Sequence, residues 1–203
     1  MTTARLETFA DGVFAIAATL LVLAIAVPEG EGSLGSRLVD QWPQYLAYAL
    51  SFVTIGIMWV NHHAVLTHFA GVDRAFLFLN IGLLLCVAFV PFPTALVAEN
   101  LHSRDAALTY GLSMTVTALF FSGVWHYGRV RLLRPDADPR EIRGINRSYI
   151  PGPFLYGGAA LVALVSAPAS VALYGAIAAV YVSASIWAGG DGYDARAASD
   201  AGR

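Results

Sequence analysis

The sequence predicts an all-α polytopic membrane protein of six transmembrane helices with no soluble domain. Composition is the first observation that predicts it. The 203 residues are 57% hydrophobic and 13% charged, whereas an ordinary soluble domain carries about 25% charge. The second is charge spacing: no Asp, Glu, Lys or Arg falls in 12–28, 41–72, 75–98, 106–128 or 148–190. A helix rising about 1.5 Å per residue needs roughly 20 residues to cross a hydrocarbon core about 30 Å thick. The last run is long enough for two crossings, and Pro168 within Ser166-Ala167-Pro168-Ala169-Ser170 marks a turn between them.

The third observation is a charge asymmetry hidden under the net charge of −2. All 12 basic residues are arginine, and Arg129, Arg131, Arg134, Arg140, Arg143 and Arg147 lie between the fourth and fifth spans. With six spans, that loop shares a side with both termini and with the loop after span 2. Arg5, Arg74, Arg196 and Arg203 join the cluster there, leaving only Arg37 and Arg104 opposite. The positive-inside rule then puts both termini in the cytoplasm of a multi-pass cell-membrane protein. Asp136, Asp138 and Glu141 interleave the cluster, which argues against nucleic acid and for membrane lipids as its partner.

The spans are expected at 7–27, 44–67, 73–97, 105–130, 150–167 and 169–188, all within one transmembrane domain, with 189–203 a disordered tail. Pro28 and the glycine-rich Glu29-Gly30-Glu31-Gly32-Ser33 end span 1. That span reads as a retained helix, since Glu7 offsets Arg5 and no small-residue cleavage pattern comes after Pro28. Span 2 opens after Trp42-Pro43, and Pro91 and Pro93 are expected to kink span 3 near its outer end. Spans 5 and 6 are rich in Ala, Gly and Ser, which permits close helix packing in lipid. Cys86, the single cysteine, lies mid-span and reads as a packing residue.

Few polar groups enter these spans. Asp11, near the cytoplasmic end of span 1, either sits at the headgroups as a helix N-terminal charge or pairs inside the bundle. Span 2 carries Trp59-Val60-Asn61-His62-His63. Adjacent histidines point about 100° apart on a helix, so they do not share a face as metal ligands. An interhelical hydrogen bond by one of them is the better reading. Asn80 in span 3 is a further polar group, as is Thr94 near its outer end. No cofactor or metal site is indicated. In span 1, Ile16, Thr19, Leu20 and Leu23 keep the i, i+3, i+4, i+7 spacing of one helix face. Such a stripe usually means helix packing or lipid contact.

The run from Arg5 through Phe9-Ala10-Asp11 to Thr19-Leu20-Leu21-Val22-Leu23 resembles the first helix of the bacterial transmembrane protein 175 family, relatives of the lysosomal potassium channel. Ser51-Phe52, Gly56, Trp59, His62-His63, Asn80 and Pro91-Phe92-Pro93-Thr94 extend the resemblance to about residue 100. It implies a six-helix subunit of a homotetramer, a central pore lined by helix 1, and leak-like conduction of K⁺ with modest preference over Na⁺. The pore would narrow at rings of Ile16, Leu20 and Leu23, with Thr19 adding hydroxyls. Such a family member is not an enzyme. The same resemblance implies a network of Arg5, Phe9, Asp11, Trp59, His62 or His63 and Asn80 that holds the pore helix. The family's Ser is Ala10 here, so one hydroxyl of that network is missing. An alternative is a proton channel or proton-coupled transporter using Asp11 and a span-2 histidine as relay groups. A membrane enzyme and a non-conducting scaffold are weaker readings. The first finds no nucleophile–base pair in the spans, and the second leaves the helix 1 motif unexplained.

Overall fold

The computed structural model describes residues 3–200, without the side chains of 141, 147–149 and 184–200. Among the described residues the chain is helical throughout: α1 Ala4–Leu20, a 3₁₀ turn Leu21–Ala24, α2 Leu34–Asp40, α3 Trp42–Thr67, α4 Arg74–Phe89, α5 Pro91–Glu99, α6 Arg104–Arg131, α7 Pro139–Tyr149, α8 Pro151–Val162 and α9 Ala167–Asp200. Among the described residues four stretches are long and apolar enough to cross a membrane: Ala4–Ala24, Trp42–Thr67, Arg74–Glu99 and Arg104–Arg131. They match the first four expected spans. The fifth and sixth differ, because the turn falls at 163–166, where Ser166 N donates to Val162 O at 2.9 Å. α8 is left with 12 residues. Pro168 becomes the second residue of α9, where its missing N–H costs nothing.

Other boundaries move for local reasons. Span 1 is expected to reach residue 27, but the α-helical part of α1 stops at Leu20 and Ile25 is extended, with ψ 99°. β-Branched Val22, Ile25 and Val27 weaken the helix, and Pro28 disfavours helical geometry just before it. The third span breaks between Phe89 and Pro91, where the proline cannot donate to the preceding turn. α9 continues beyond Ala188 to Asp200, across Gly189, Gly190 and Gly192 and despite the low helix propensity of glycine. The disordered tail expected over 189–203 lies where side chains, and from 201 the backbone, are outside the described residues.

α6 is central, packing against α4 on one side and α8 on the other, while α1 lies against α3 and α4. Phe76, Leu83, Val87, Met114 and Val124 are wholly buried between them. α6 passes close to α8 and α9 at Gly111, where an added Cβ would collide with the Tyr174 hydroxyl and the Ala160 methyl. That hydroxyl donates to Ala107 O at 3.0 Å.

Two loops are clasped at one end of the bundle. Ala70 N donates to Leu132 O at 2.9 Å, and Arg134 N donates to His68 O at 3.0 Å. The loops after α3 and α6 therefore share a side, as the arginine distribution requires. Asp73 completes the clasp: its carboxylate caps α4 by accepting from Phe76 N and also accepts from the Tyr127 hydroxyl, each at 2.8 Å. α7 lies in the stretch expected as loop and folds against this end. Asp138 caps it at 2.7 Å, Pro139 opens it, and Ile142 and Ile145 turn toward the core.

The Phe76 N–H, and then the Tyr127 hydroxyl, hold the Asp73 carboxyl below its ordinary value of 3.8. A carboxyl depressed in the folded state contributes stability above its unfolded pKa and loses it as pH falls through the folded one. Asp73→Ala is therefore expected to lower the melting temperature of the detergent-solubilised protein at pH 7. The gap to wild type should narrow steadily below about pH 4. An identical gap at pH 7 and pH 3 would show that the charge has no part in the cap.

Candidate functional site

One face of α1 is built into the bundle and the other is not. Leu6, Ala10, Phe14 and Ala17, continued by Leu21, recur at three- and four-residue steps and are buried against the neighbouring helices. On the other face Ile16 is 61% exposed, Leu20 42% and Leu23 76%, with Thr19 also exposed. Leu23 lies on the 3₁₀ turn rather than on the α-helix. In that geometry i and i+3 eclipse, so Leu23 stays in line with Leu20 despite the change of helix type. The Thr19 hydroxyl donates to Ile16 O at 2.9 Å, which holds its oxygen on the same exposed side with lone pairs to spare.

Two polar bridges hold this helix's neighbourhood. Trp59 Nε1, from α3, donates to Asp11 Oδ1 of α1 at 2.7 Å. The distance is short for an N–H···O bond, and both partners are exposed, so Asp11 is paired on the exposed side of the subunit rather than inside the bundle. Deeper in, His62 Nε2 lies 2.9 Å from Asn80 Oδ1, joining α3 to α4. Asn80 Nδ2 donates to Phe76 O, so its oxygen is the acceptor and the proton sits on His62 Nε2. Phe14 of α1 packs on the His62 ring with centroids 5.6 Å apart, and Phe121 of α6 meets that ring edge-on at 6.4 Å.

The two histidines separate as the helix geometry demands: His62 is 2% exposed and His63 faces outward. Arg5 and Phe9, expected in the same network, are on the surface. Among the described residues neither joins either bridge. With Val13 they form the α1 wall of a groove of about 910 Å³ whose other wall is Leu77, Ile81, Leu84 and Leu85 of α4. Ala10, in place of the family's Ser, is completely buried. A further bridge has no counterpart in the sequence expectations: Ser51 Oγ and Thr94 Oγ1 lie 2.9 Å apart and tie α3 to α5. Each is a visible polar residue in an apolar span, but nothing local pairs residues 43 positions apart. Phe14 is legible, since it keeps step with Ala10, Ala17 and Leu21. Among the described residues no three His, Cys, Asp or Glu side chains gather to hold a metal ion.

The fold defines a class: an all-helical membrane protein in which, among the described residues, apolar faces of several helices stay exposed, that of α1 with Ile16, Leu20 and Leu23 beside those of α4 with Phe78, Ile81 and Leu85 and of α6 with Leu112, Val116 and Leu119. Comparison with known proteins narrows it. The family model for the endosomal/lysosomal potassium channel TMEM175 matches residues 5–91. A potassium channel of Streptomyces collinus is 46% identical over 185 residues, covering 87% of this chain and 90% of its own length. The chain belongs to the TMEM175 family, which is an ion-channel family and not an enzyme class. A crystallised homologue of the lysosomal potassium-selective channel TMEM175, from Chamaesiphon minutus, superposes with a TM-score of 0.82 at 41% identity, over 89% of this chain and 96% of that one. The endosomal/lysosomal proton channel TMEM175 of Gallus gallus is 38% identical over 135 residues, covering 60% of this chain and 27% of its own length.

Removing one partner of the buried imidazole–amide bond leaves the other unpaired, at about 1–3 kcal/mol. Asn80→Ala is expected to destabilise the protein by that amount in thermal unfolding. His62→Ala combined with Asn80→Ala should cost clearly less than the sum of the two single changes. Strict additivity would mean that the 2.9 Å contact carries no coupling.

Proposed function

We propose that this chain is one subunit of a homotetrameric, leak-type, K⁺-permeable channel in the cell membrane. Six crossings would leave both termini in the cytoplasm; α9 supplies one of the last two, and α8, with 12 residues, needs the residues on either side of it to complete the other. The pore runs along the exposed face of α1 and narrows at rings of Ile16, Leu20 and Leu23, with Thr19 contributing hydroxyls. The observation that carries this reading is the two-faced character of α1. Its buried face is packed within the subunit, while its exposed face carries regularly spaced apolar residues left open among the described residues. Four such faces around an axis make a narrow apolar tube, which obstructs a hydrated ion by dewetting. A constriction without charged or carbonyl rings discriminates weakly, so the preference for K⁺ over Na⁺ is modest. Arg5 and Phe9 line a shallow groove with Ile16 at this face, His63 is exposed on α3, and the Asp11–Trp59 and His62–Asn80 bridges hold the surrounding helices in position. The potassium-channel names of the bacterial relatives support the same reading.

A second reading is favoured by one specific observation, the proton-channel name of the vertebrate relatives. In that version Asp11 and His62 or His63 relay protons. Asp11 is bonded to Trp59 and His62 to Asn80, so a relay through them requires both bridges to open in turn.

Potassium and sodium flux through the purified protein in liposomes separates these readings. K⁺ flux is expected to exceed Na⁺ flux, and Ile16→Asn or Leu23→Asn should wet the constriction and raise cation flux several-fold. Flux of protons alone, abolished by His62→Ala, would favour the relay. No cation flux in wild type or variants, with insertion and assembly verified, would remove the channel reading.

A further inference from the structure

The 3₁₀ turn that carries Leu23 reads Leu21-Val22-Leu23-Ala24 and has no polar side chain. No side-chain hydrogen bond of its own can hold it. Beyond α1 it rests on two helices, α3 and α5. Leu21 is wholly buried, while Leu23, two residues on, faces outward. The position of the outward leucine therefore depends on how α3 and α5 stand relative to each other.

α5 joins α4 at a break. Pro91 and Pro93 have no N–H to give to the turn before them, so fewer backbone bonds set the angle there than in an unbroken helix. Thr94 closes the break: its N–H and its hydroxyl both donate to Val90 O, at 3.2 and 2.9 Å. With that proton committed, Thr94 Oγ1 is the acceptor and Ser51 Oγ of α3 the donor in their 2.9 Å bond. Both residues are only 2% exposed, so neither has water as a substitute partner. The bond joins the same two helices on which the turn rests. We propose that Ser51 and Thr94 are positioning residues for the outermost ring of the pore. Their bond holds the α3–α5 seat at one width, and that width sets how far Leu23 stands out from the subunit. Without the bond α5 pivots at Pro91, the seat widens and the turn loosens. Ile16 stays in place, because it lies on the α-helical part of α1 that Asp11 and Phe14 hold to α3. The effect on conduction rests on the channel reading, whereas the seating of the turn does not.

Amide hydrogen exchange of the full chain in detergent, followed by mass spectrometry, tests the seat. Ser51→Ala removes the donor and should speed exchange over 21–27 about fivefold, the worth of one ordinary hydrogen bond. Exchange over 6–17 should stay at the wild-type rate. Thr94→Ser keeps the hydroxyl and should exchange as wild type does. If Ser51→Ala does not fold, Thr94→Val, which keeps the volume and removes the acceptor, takes its place. A wild-type rate over 21–27 in the variant, or an equal rise over 6–17, would overturn the seating role. Potassium flux in liposomes then tests the link to the pore. Ser51→Ala should raise K⁺ flux several-fold by loosening the ring, and should add nothing beside Leu23→Ala, where that ring is gone. K⁺ flux not raised by Ser51→Ala, or raised equally in both backgrounds, would overturn the link to Leu23. Because exchange needs no conduction, a non-conducting protein with the expected exchange pattern would refute the channel reading and leave the seat standing.

Discussion

Within a membrane-spanning bundle a polar side chain has no water to fall back on, and the bond between His62 and Asn80 sets the geometry of the helices around it. Both groups are buried, and each is expensive to leave unpaired, so α3 and α4 must meet at one height and one rotation. Once they do, the imidazole ring meets Phe14 at a tilt and Phe121 in a T-shaped contact. α1 and α6 then have defined seats on either side. The Trp59–Asp11 bond adds the rotation of α1 about its own axis. With Asp11 held to α3 and Ala10, Phe14 and Ala17 turned inward, Ile16, Leu20 and Leu23 have only the outside to face. The exposed stripe thus goes with the rotation of α1 that buries Leu6, Ala10, Phe14 and Ala17.

The same need for partners governs the ends of the bundle. At the arginine-rich end, backbone bonds lock the loops after α3 and α6 together, and Asp73 serves two helices at once. Phe69 fits over Gly128, which has no side chain to exclude it, and stacks near Trp125 and Phe76. α7 is pinned to this end by its isoleucines and by Trp125, whose Nε1 donates to Asn146 Oδ1 at 3.4 Å. Its Arg140 and Arg143 remain exposed. At the opposite end the contacts are lighter. The linker after α1 turns through Gly30 and Gly32, whose φ of 121° and 100° only glycine adopts readily. Gln41 and Arg37 hold it by donating to carbonyls.

Ala10 takes its meaning from this arrangement. A serine there would need an acceptor in a fully buried position. Alanine needs none, and the helix packs tightly without it. The contacts that position α1 run through Asp11, bonded to Trp59, and Phe14, packed on His62. α1 therefore remains seated in its absence, at the loss of about 1 kcal/mol that such a bond contributes.

Much of this architecture depends on properties that are additive along the chain, and those are legible without a structure. Apolar length and charge spacing locate the first four spans to within a few residues. The i, i+3, i+4, i+7 spacing picks out the stripe on α1 before any neighbour is known. The pairing of Asp11 with Trp59 comes from likeness to a family, not from either residue's surroundings. Other features lie beyond any local signal. Adjacent histidines look alike in sequence, and only the seat of α3 against α4 makes His62 the bonded one. The Ser51–Thr94 contact and the shift of the α8–α9 turn likewise depend on where distant helices come to rest. By itself the sequence determined which segments enter a membrane and which face of α1 is periodic, because hydropathy and helix period are local quantities. Only the tertiary structure decided which face of α1 stays open and which polar groups find partners, because both depend on contacts between residues far apart in the chain.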